Sequence, residues 1–446
     1  MMRIGVPDPR AKALLAGLFR AGLQAVDPYE AVSRQVCIRR DQLTIGSHQY
    51  PLTRIQRIVV VGAGKASAPM AQALEHRLGT RIDTGLVVVK YGHGAQTDRI
   101  RIMEAGHPIP DAAGLKAGRS MMALVRALTP DDLLIVVLSG GASSLLPAPA
   151  NGISLKDKQQ TTKLLLRSGA TIQEINTVRK HLSCIKGGQL AAATKARVVS
   201  VILSDVIGND LGTIGSGPTA PDATTFREAW DIVERYGVPR AIPRSVRRHL
   251  ELGLANGVPE TPKPRATLFR RVENILIGDN RAAVDAVEKA AKRQGLTTLV
   301  LGTTVTGEAR ELAKFFGAMA REIAVQGRPV RRPCCVIAGG EPTVTIRGEG
   351  KGGRAQEFAL AAAAEIAGLP KMWVAGFATD GTDGPTAVAG AVVDGQTVIR
   401  AQRRKQSLSR ALQDNDAHPF FEALHGHVVT GPTGTNVNDL YLLLAL

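Results

Sequence analysis

The sequence has few cysteines, few aromatic residues and no long apolar run. The longest apolar stretch in the middle of the chain, residues 133–138, is six residues long. A membrane-spanning helix needs about 20. Arg3, Asp8 and Arg10 open the chain, and no signal-peptide core with a small-residue cleavage site follows them. We therefore expect no membrane association and a cytoplasmic location.

The scarcity of cysteine argues against a disulfide framework or a zinc site. The four thiols are Cys37, Cys184, Cys334 and Cys335, and their spacing is not that of metal ligands. Cys334 and Cys335 are adjacent in a strand-like run, where neighbouring side chains face opposite ways. We interpret the cysteines as buried structural thiols in a reducing compartment.

Acidic residues are also in deficit: 39 stand against 56 lysines and arginines, and the net charge is +17. Such an excess is often found in nucleic-acid-binding proteins. Here the basic residues are scattered, aromatic residues make up only 4%, and no RNA- or DNA-binding signature occurs. We expect no nucleic-acid partner, and we interpret the charge as a basic solvated surface that favours anionic small molecules.

What the chain does have is a regular alternation of short apolar runs and helical patterns, which predicts α/β layers. Its 446 residues, 44% of them hydrophobic, are enough for two or three domains. Strands are predicted at 57–61, 85–90, 133–138 and 198–203, each followed by a glycine- or serine-rich loop. This pattern is typical of an open doubly wound sheet whose strand ends line a ligand crevice.

A cluster of prolines between positions 239 and 264 interrupts this alternation. We therefore predict a Rossmann-like domain at 1–240, a proline-rich junction at 241–272 and a second α/β domain at 273–446. Strands of the second domain are predicted at 275–277, 298–301, 334–338 and 373–377.

The loop at 62–67, GAGKAS, follows the first strand. It is not a Walker A loop, and Ser67 stands where a dinucleotide fingerprint has its third glycine. Gly62 and Gly64 would still let backbone N–H groups approach an anion, and Lys65 adds a mobile positive charge. The alternative is a tight turn with a solvated lysine.

Two further segments suggest anion binding. Ser139, Gly140, Gly141 and Ser143 follow the strand at 133–138 and would form a second cradle, although a plain helix N-cap is the alternative. No G-x-S-x-G element marks a nucleophilic serine. Asn176, Arg179 and Lys186 belong to a basic cluster that suits a carboxylate or a phosphate, but a solvated basic helix would look similar.

Acidic residues follow strands at two places. Asp205 comes after the strand at 198–203, a usual position for a carboxylate that faces Mg²⁺ in phosphoryl-transfer enzymes, although an Asx-turn is the alternative. Asp380 and Asp383 lie three apart in a glycine-rich loop, where they would hold a metal or a sugar-like hydroxyl. Such loops are flexible covers as often as they are catalytic.

Together these loops resemble the glycerate 2-kinase family, whose C-terminal part is called the MOFRL domain. The matching stretches, in family order over nearly the whole chain, are GAGKAS (62–67), GHPIPD (106–111), SGGASSL (139–145), NTVRKHLS (176–183), KGG (186–188), LSDVIGND (203–210), GSGPT (215–219), GDN (278–280), GGEPT (339–343), GKGGRAQE (350–357), ATDGTDGP (378–385) and GPTGTNVND (431–439).

The resemblance implies a Rossmann-like domain, a second α/β domain, and an active site in the cleft between them. It implies transfer of the ATP γ-phosphoryl group to the 2-hydroxyl of D-glycerate, with Mg²⁺. Lys65 would be the central catalytic cation, Arg354 and Asp380 would complete the site, and Asp205 and Asn209 would lie across the cleft. The group that accepts the hydroxyl proton stays open between Asp205 and Asp380, and a homo-oligomer is compatible with the sequence.

Two other functions remain as alternatives. A hydroxypyruvate reductase would need a nicotinamide site, and the dinucleotide fingerprint is broken at Ser67. A non-catalytic sensor of an acidic metabolite would not need Lys65, Arg354 and Asp380 together.

Overall fold

Strands and helices alternate along the chain. In the computed structural model, residues 2–446 are described. The strands are β1 (Arg3–Ile4), β2 (Val36–Arg39), β3 (Gln42–Ile45), β4 (His48–Pro51), β5 (Ile58–Ala63), β6 (Ile82–Lys90), β7 (Ile100–Ala105), β8 (Leu133–Leu138), β9 (Arg197–Leu203), β10 (Val272–Gly278), β11 (Thr297–Val305), β12 (Cys334–Gly340), β13 (Met372–Ala378), β14 (Gly390–Asp394), β15 (His427–Val429) and β16 (Asp439–Ala445).

The helices carry amphipathic patterns and pack against the sheets. They are α1 (Pro9–Ala25), α2 (Pro28–Gln35), α3 (Ser67–Leu78), α4 (Ala112–Arg126), α5 (Ala142–Leu145), α6 (Leu155–Arg167), α7 (Ile172–His181), α8 (Gln189–Ala192), α9 (Phe226–Arg235), α10 (Arg244–Leu254), α11 (Asn280–Arg293), α12 (Ala309–Gln326), α13 (Arg354–Glu365), α14 (Thr397–Arg403), α15 (Leu408–Gln413) and α16 (Ala417–Leu424). In residues 2–446, none of these helices is long and apolar enough to cross a membrane.

The first structural unit, Pro28–Ile277, is built on a six-stranded sheet in the order β10-β9-β8-β5-β6-β7. The chain starts in the middle with β5, adds β6 and β7 on one side, and then returns to add β8, β9 and β10 on the other. Every residue of β5 and β8 is buried, as expected for apolar strands covered on both faces. This order is that of the Rossmann fold, so the predicted doubly wound sheet is confirmed.

The strand order reverses between β5 and β8, and we call this place the switch point. The two strands are parallel, and Ala63 pairs in register with Leu138. Their carboxyl ends therefore meet at one edge of the sheet, where ligands bind in open α/β folds. The GAGKAS loop follows β5 there, and the loop that begins at Ser139 follows β8.

The second unit consists of Gly278–Leu446 together with residues 2–27. Its sheet is mixed and has the order β1-β15-β14-β13-β16-β12-β11. The central strand β16 is antiparallel to both β12 and β13 and is completely buried. The α/β class predicted for this part of the chain is confirmed.

Residues 2–27 are an integral part of the second unit. Arg3 in β1 pairs with Val429 in β15, at the edge of the sheet. Phe19 of α1 is fully buried, and its ring stacks on that of Phe377 in β13 at a centroid distance of 4.4 Å. The helix therefore belongs to the core of this unit.

The division of the chain thus differs from the predicted bounds in three ways. Residues 2–27 were expected in the first domain, whose predicted start, residue 1, lies outside the described residues. The strand at 275–277 was expected to open the second domain, but it lies in β10 of the first sheet. The proline-rich segment 241–272 contains α10 and stays within the first unit, because Val246 and Leu250 of this helix are buried in its core.

The four cysteines are free. Cys334 and Cys335 lie side by side in β12 and are both fully buried, as predicted, whereas Cys37 and Cys184 are half-buried. Burial raises the pKa of the Cys334 thiol to about 11, so this thiol stays protonated at neutral pH.

Candidate active site

The loop after β5 is held against the loop after β8 by close backbone contacts. Gly64 has a φ of +144°, and a Cβ atom there would lie 2.0 Å from Ser139 Oγ. A Cβ at Gly62 would lie 2.0 Å from the carbonyl oxygen of Val137. Only glycine fits at both positions. The Lys65 backbone N–H then donates to the carbonyl of Gly140 at 2.8 Å, which fixes the lysine at the switch point.

The Ser139 hydroxyl joins the two loops. It accepts a hydrogen bond from the Ala66 N–H at 3.0 Å and lies 2.9 Å from Ser67 Oγ, and both serine side chains are buried. Ser67, which replaces the third glycine of a dinucleotide fingerprint, therefore has a structural partner. We predicted Ser139 as a ligand-binding residue; the structure places its hydroxyl in the contact between the loops.

Lys65 is half-buried and surrounded by basic groups. His93 Nδ1 lies 3.2 Å from the Lys65 carbonyl oxygen. Burial, and then the charges of Lys65, Lys90 and His93, lower the pKa of His107 to about 4. His107 is neutral at physiological pH, and a Cβ on Gly141 would lie 2.8 Å from its Nε2 atom. Sequence reasoning gave His107 no role, although it lies in the GHPIPD motif.

A buried chain of hydrogen bonds follows the second loop. Lys186 Nζ donates to the Ser143 carbonyl at 2.7 Å and to Ser143 Oγ at 3.0 Å. Ser143 Oγ lies 2.8 Å from Ser216 Oγ, which donates to Asn176 Oδ1 at 3.2 Å. The structure thus brings together three predicted binding residues, Ser143, Asn176 and Lys186.

Arg179 and Lys180 are neighbours on α7 with different surroundings. Lys180 Nζ lies 3.3 Å from Asp222 Oδ1, and this ion pair is buried. Arg179 is half-buried, and burial lowers its pKa. Within residues 2–446 it forms no ion pair with a carboxylate. Of the two, Arg179 is therefore the cation available to a ligand.

Asp205 lies two residues beyond β9 and close to the second loop. A Cβ on Gly140 would lie 2.1 Å from Asp205 Oδ2, so the carboxylate lies against this glycine. Asn209 follows in a short turn with a φ of 57°. Asp205 is thus near the switch point, as its position after a strand predicted.

In the second unit, Arg354 is the centre of a charged network. It lies at the start of α13, and its Nε and Nη2 both donate to the carboxylate of Asp439. Its Nη1 donates to Glu341 Oε1 at 2.9 Å, and the Tyr441 hydroxyl donates to Asp439 Oδ2 at 2.9 Å. The two carboxylates oppose the effect of burial and raise the pKa of Arg354, so its charge is permanent. Glu341 and Asp439 lie in the GGEPT and GPTGTNVND motifs but were assigned no role from sequence.

Asp380 and Asp383 have separate roles. Asp380 Oδ1 accepts hydrogen bonds from the N–H and the hydroxyl of Thr382 at 2.9 and 3.0 Å, which orients a half-buried carboxylate. Asp383 is buried and accepts from the backbone N–H groups of Ala355 and Gln356 at 3.0 and 2.8 Å. Asp383 therefore caps α13, and only Asp380 remains for a ligand.

The predicted residues divide between the two units. Arg354 and Asp380 lie in the second. The first unit contains Gly62, Gly64, Lys65, Ser139, Gly140, Gly141, Ser143, Asn176, Arg179, Lys186, Asp205 and Asn209.

Comparison with known proteins identifies this arrangement. The family described as "Domain of unknown function (DUF4147)" matches residues 14–251, and the MOFRL family matches residues 334–439. A glycerate 2-kinase of Pyrococcus horikoshii is 40% identical over 423 residues, which are 95% of this chain and 94% of that protein. A protein of Agrobacterium vitis named putative hydroxypyruvate reductase is 40% identical over 440 residues, 98% of this chain and 95% of that protein.

A solved structure agrees with these matches. The crystal structure of glycerate kinase from Thermotoga maritima superposes with a TM-score of 0.88 at 38% identity, covering 98% of this chain and 100% of that one. The motifs, the Rossmann-like sheet and these relatives lead to one conclusion: this chain belongs to the glycerate 2-kinase family.

Proposed function

We propose that this protein transfers the γ-phosphoryl group of ATP to the 2-hydroxyl of D-glycerate, giving 2-phosphoglycerate and ADP. The observation that carries the proposal is Lys65. Two glycine loops hold this half-buried lysine at the switch point of a Rossmann-like sheet, in a chain of the glycerate 2-kinase family.

The chemistry suits these residues. Phosphoryl transfer depends on positioning and charge neutralisation more than on covalent catalysis. Lys65 would neutralise the charge on the transferred group, and the bare backbone of Gly140 and Gly141 would let phosphate oxygens approach. We assign Arg354 and Asp380 to the same reaction.

We also propose that Mg²⁺ takes part with the nucleotide. Among residues 2–446, no group of three or more histidine, cysteine, aspartate or glutamate side chains would hold a metal ion. Mg²⁺ does not need such a group, because it keeps several waters and takes one or two carboxylates together with substrate phosphates. Asp205 would supply such a carboxylate in the first unit, and the oriented carboxylate of Asp380 would supply one in the second. Bound Mg²⁺ would neutralise phosphate charge.

The decisive test is an ADP-release assay with D-glycerate, L-glycerate and hydroxypyruvate in parallel. We expect ADP only with a glycerate, and only when ATP and Mg²⁺ are both present. Coupling to enolase then identifies the product, because 2-phosphoglycerate is its direct substrate. A signal that needs added phosphoglycerate mutase would mean that the 3-hydroxyl is phosphorylated.

Hydroxypyruvate reductase is the alternative that the name of the Agrobacterium relative raises. A reductase would need a nicotinamide site, and the GAGKAS loop lacks the third glycine of the fingerprint, with Ser67 bonded to Ser139 in its place. Oxidation of NADH or NADPH by hydroxypyruvate, without ADP formation from glycerate, would favour this alternative.

We further propose that the protein works in the cytoplasm on small molecules. Four free cysteines fit a reducing compartment.

A further inference from the structure

Three cationic side chains of the first unit interact with one another and lack acidic partners; we call them the cation cluster. They are Lys158 of α6, Arg179 of α7 and Lys186, which follows α7. Lys158 and Lys186 are only 7% and 2% exposed. The charges of Lys158 and Arg179 help burial to lower the pKa of Lys186, and Arg179 likewise adds to the lowering at Lys158. None of the three pairs with an aspartate or glutamate within the described chain.

Keeping such a cluster costs stability. A buried charge is normally paired, because removing it from water without a partner costs several kcal/mol. Lys158 Nζ donates to the Pro147 carbonyl at 2.6 Å, and Lys186 Nζ donates to Ser143, but these neutral oxygens orient the ammonium groups without cancelling their charge. Lys180, by contrast, is paired in the usual way, because the carboxylate of Asp222 neutralises its charge. Burial and mutual repulsion lower the pKa of Lys186, and that of Lys158 to about 7, so a bound anion would restore and stabilise the charge of both groups. Side chains with pKa values perturbed in this way cluster at functional sites.

The cluster is connected to the loop that holds Lys65. Lys186 is bonded to Ser143, two residues beyond Gly141, and a Cβ on Gly141 would lie 3.4 Å from Lys65 Cγ. Arg179, the half-exposed member, gives access from solvent. Its planar guanidinium matches the two oxygens of a carboxylate.

We propose that Lys158, Arg179 and Lys186 form one anion-binding site that takes the carboxylate of the substrate. The proposal rests on the proposed function and specifies its substrate class as 2-hydroxy carboxylates, anchored by their carboxylate so that the neighbouring hydroxyl is presented for phosphorylation. It also assigns a role to Lys158, which lies outside the family motifs quoted above.

The test uses Lys158→Met, which removes the charged amino group and keeps an unbranched side chain that is one atom shorter. Its matched control is Lys163→Met, an exposed lysine on the same helix. We expect Lys158→Met to raise the KM for D-glycerate about tenfold or more, as the loss of a charged hydrogen bond does, with the KM for ATP within about twofold of wild type. Its melting temperature should be equal or higher, because a buried unpaired charge is gone. Arg179→Gln, at a half-exposed position, should raise the same KM.

Direct binding separates this inference from the proposed function. D-glycerate alone should raise the melting temperature of the wild type and of Lys163→Met, but not that of Lys158→Met. Lys158-dependent binding without ADP release would support the inference and contradict the kinase function. Wild-type turnover with an unchanged KM for D-glycerate in both Lys158→Met and Arg179→Gln would overturn the inference alone. A raised KM for ATP instead, with stabilisation by inorganic phosphate lost in Lys158→Met, would overturn it by showing that the cluster binds a nucleotide phosphate.

Discussion

Arg354 forms a bidentate ion pair with Asp439: Nε donates to Oδ2, and Nη2 donates to Oδ1. Asp439 is 1% exposed and is the first residue of the central strand β16, so this carboxylate has a fixed position. Burial raises the pKa of Asp439, and the Arg354 guanidinium and the Tyr441 hydroxyl act against that rise. The ion pair therefore fixes the direction in which the remaining nitrogen of Arg354 points.

Replacing Asp439 tests whether this orientation matters for the reaction. Asp439→Asn leaves the arginine in place with Glu341 as its remaining carboxylate partner. We expect kcat to fall about tenfold or more with a smaller change in KM, because the guanidinium loses its fixed orientation. Breaking a buried ion pair should also cost about 3 kcal/mol of stability. Steady-state kinetics and urea unfolding measure the two effects. Tyr441→Phe is the control, because it removes one hydrogen bond to the same carboxylate and keeps both contacts to Arg354. A kcat equal to wild type in Asp439→Asn would mean that Arg354 needs no such support.

The role of Lys65 is tested by Lys65→Ala. Gly62 and Gly64, which precede Lys65, fix the loop, so the fold should survive while the positive charge beside the transferred group is lost. We expect kcat to fall by about a hundredfold or more, with an unchanged melting temperature. Lys116→Ala, an exposed lysine on α4 of the same unit, should behave as wild type. A Lys65→Ala enzyme within about twofold of wild type would exclude Lys65 from the mechanism.

His107 makes stability depend on pH in a defined direction. Its folded-state pKa of about 4 lies below the ordinary value of 6.5, so in this range the unfolded chain binds a proton that the folded chain does not. Stability should therefore be fully present above pH 6.5 and should fall as the pH drops towards 4. His107→Gln should show a smaller decrease in melting temperature between pH 7 and pH 5. The effect will be partial, because burial also lowers the pKa of His427 to about 4. Between pH 7 and pH 8 both proteins should respond alike, and an equal decrease below pH 7 would contradict this assignment.

Phe19 tests the assignment of α1 to the second unit. Phe19→Ala removes a fully buried ring that stacks on Phe377, and should cost about 3–5 kcal/mol. Phe315→Ala, at a ring that is 54% exposed on α12, should change stability by no more than about 0.5 kcal/mol.

The two tryptophans give each unit its own fluorescence probe, Trp230 in α9 of the first and Trp373 in β13 of the second. Urea unfolding of Phe19→Ala in a Trp230→Phe background should show an earlier transition for Trp373. In a Trp373→Phe background the Trp230 transition should stay in place. A shift confined to Trp230 would mean that α1 stabilises the first unit.

The buried parallel strands were readily predicted from sequence, because a continuous apolar run between turn residues has few other interpretations. The predicted strand at 133–138 coincides with β8. The core that receives an amphipathic segment was harder to predict. Helix α1 has one apolar face, but the spacing of its apolar residues does not identify the sheet on which that face packs.

In the candidate site, too, the contacts between residues distant in sequence were not predicted. The motifs selected Lys65 and Arg354 because each is charged and adjoins a glycine, and their catalytic roles stay predictions. Asp439, which pairs with Arg354, lies where a loop meets an apolar run. The sequence pattern there indicates only the end of a loop. Lys158 reads as one of several lysines on a polar helix, and only tertiary packing shows that it is buried. Burial of a charge depends on residues that are distant in sequence, so a local sequence pattern does not predict it.

The inclusion of residues 2–27 in the second unit has a consequence for biosynthesis. These residues are synthesised before the first unit, but β15 and β13, on which β1 and Phe19 pack, are synthesised some 350 residues or more later. The first unit is contiguous and is free to fold as it emerges, whereas α1, with its apolar face uncovered, must wait for almost the whole chain. Helix α1 therefore keeps its apolar face exposed while the first unit folds, and the second unit is complete only when β16 has been synthesised.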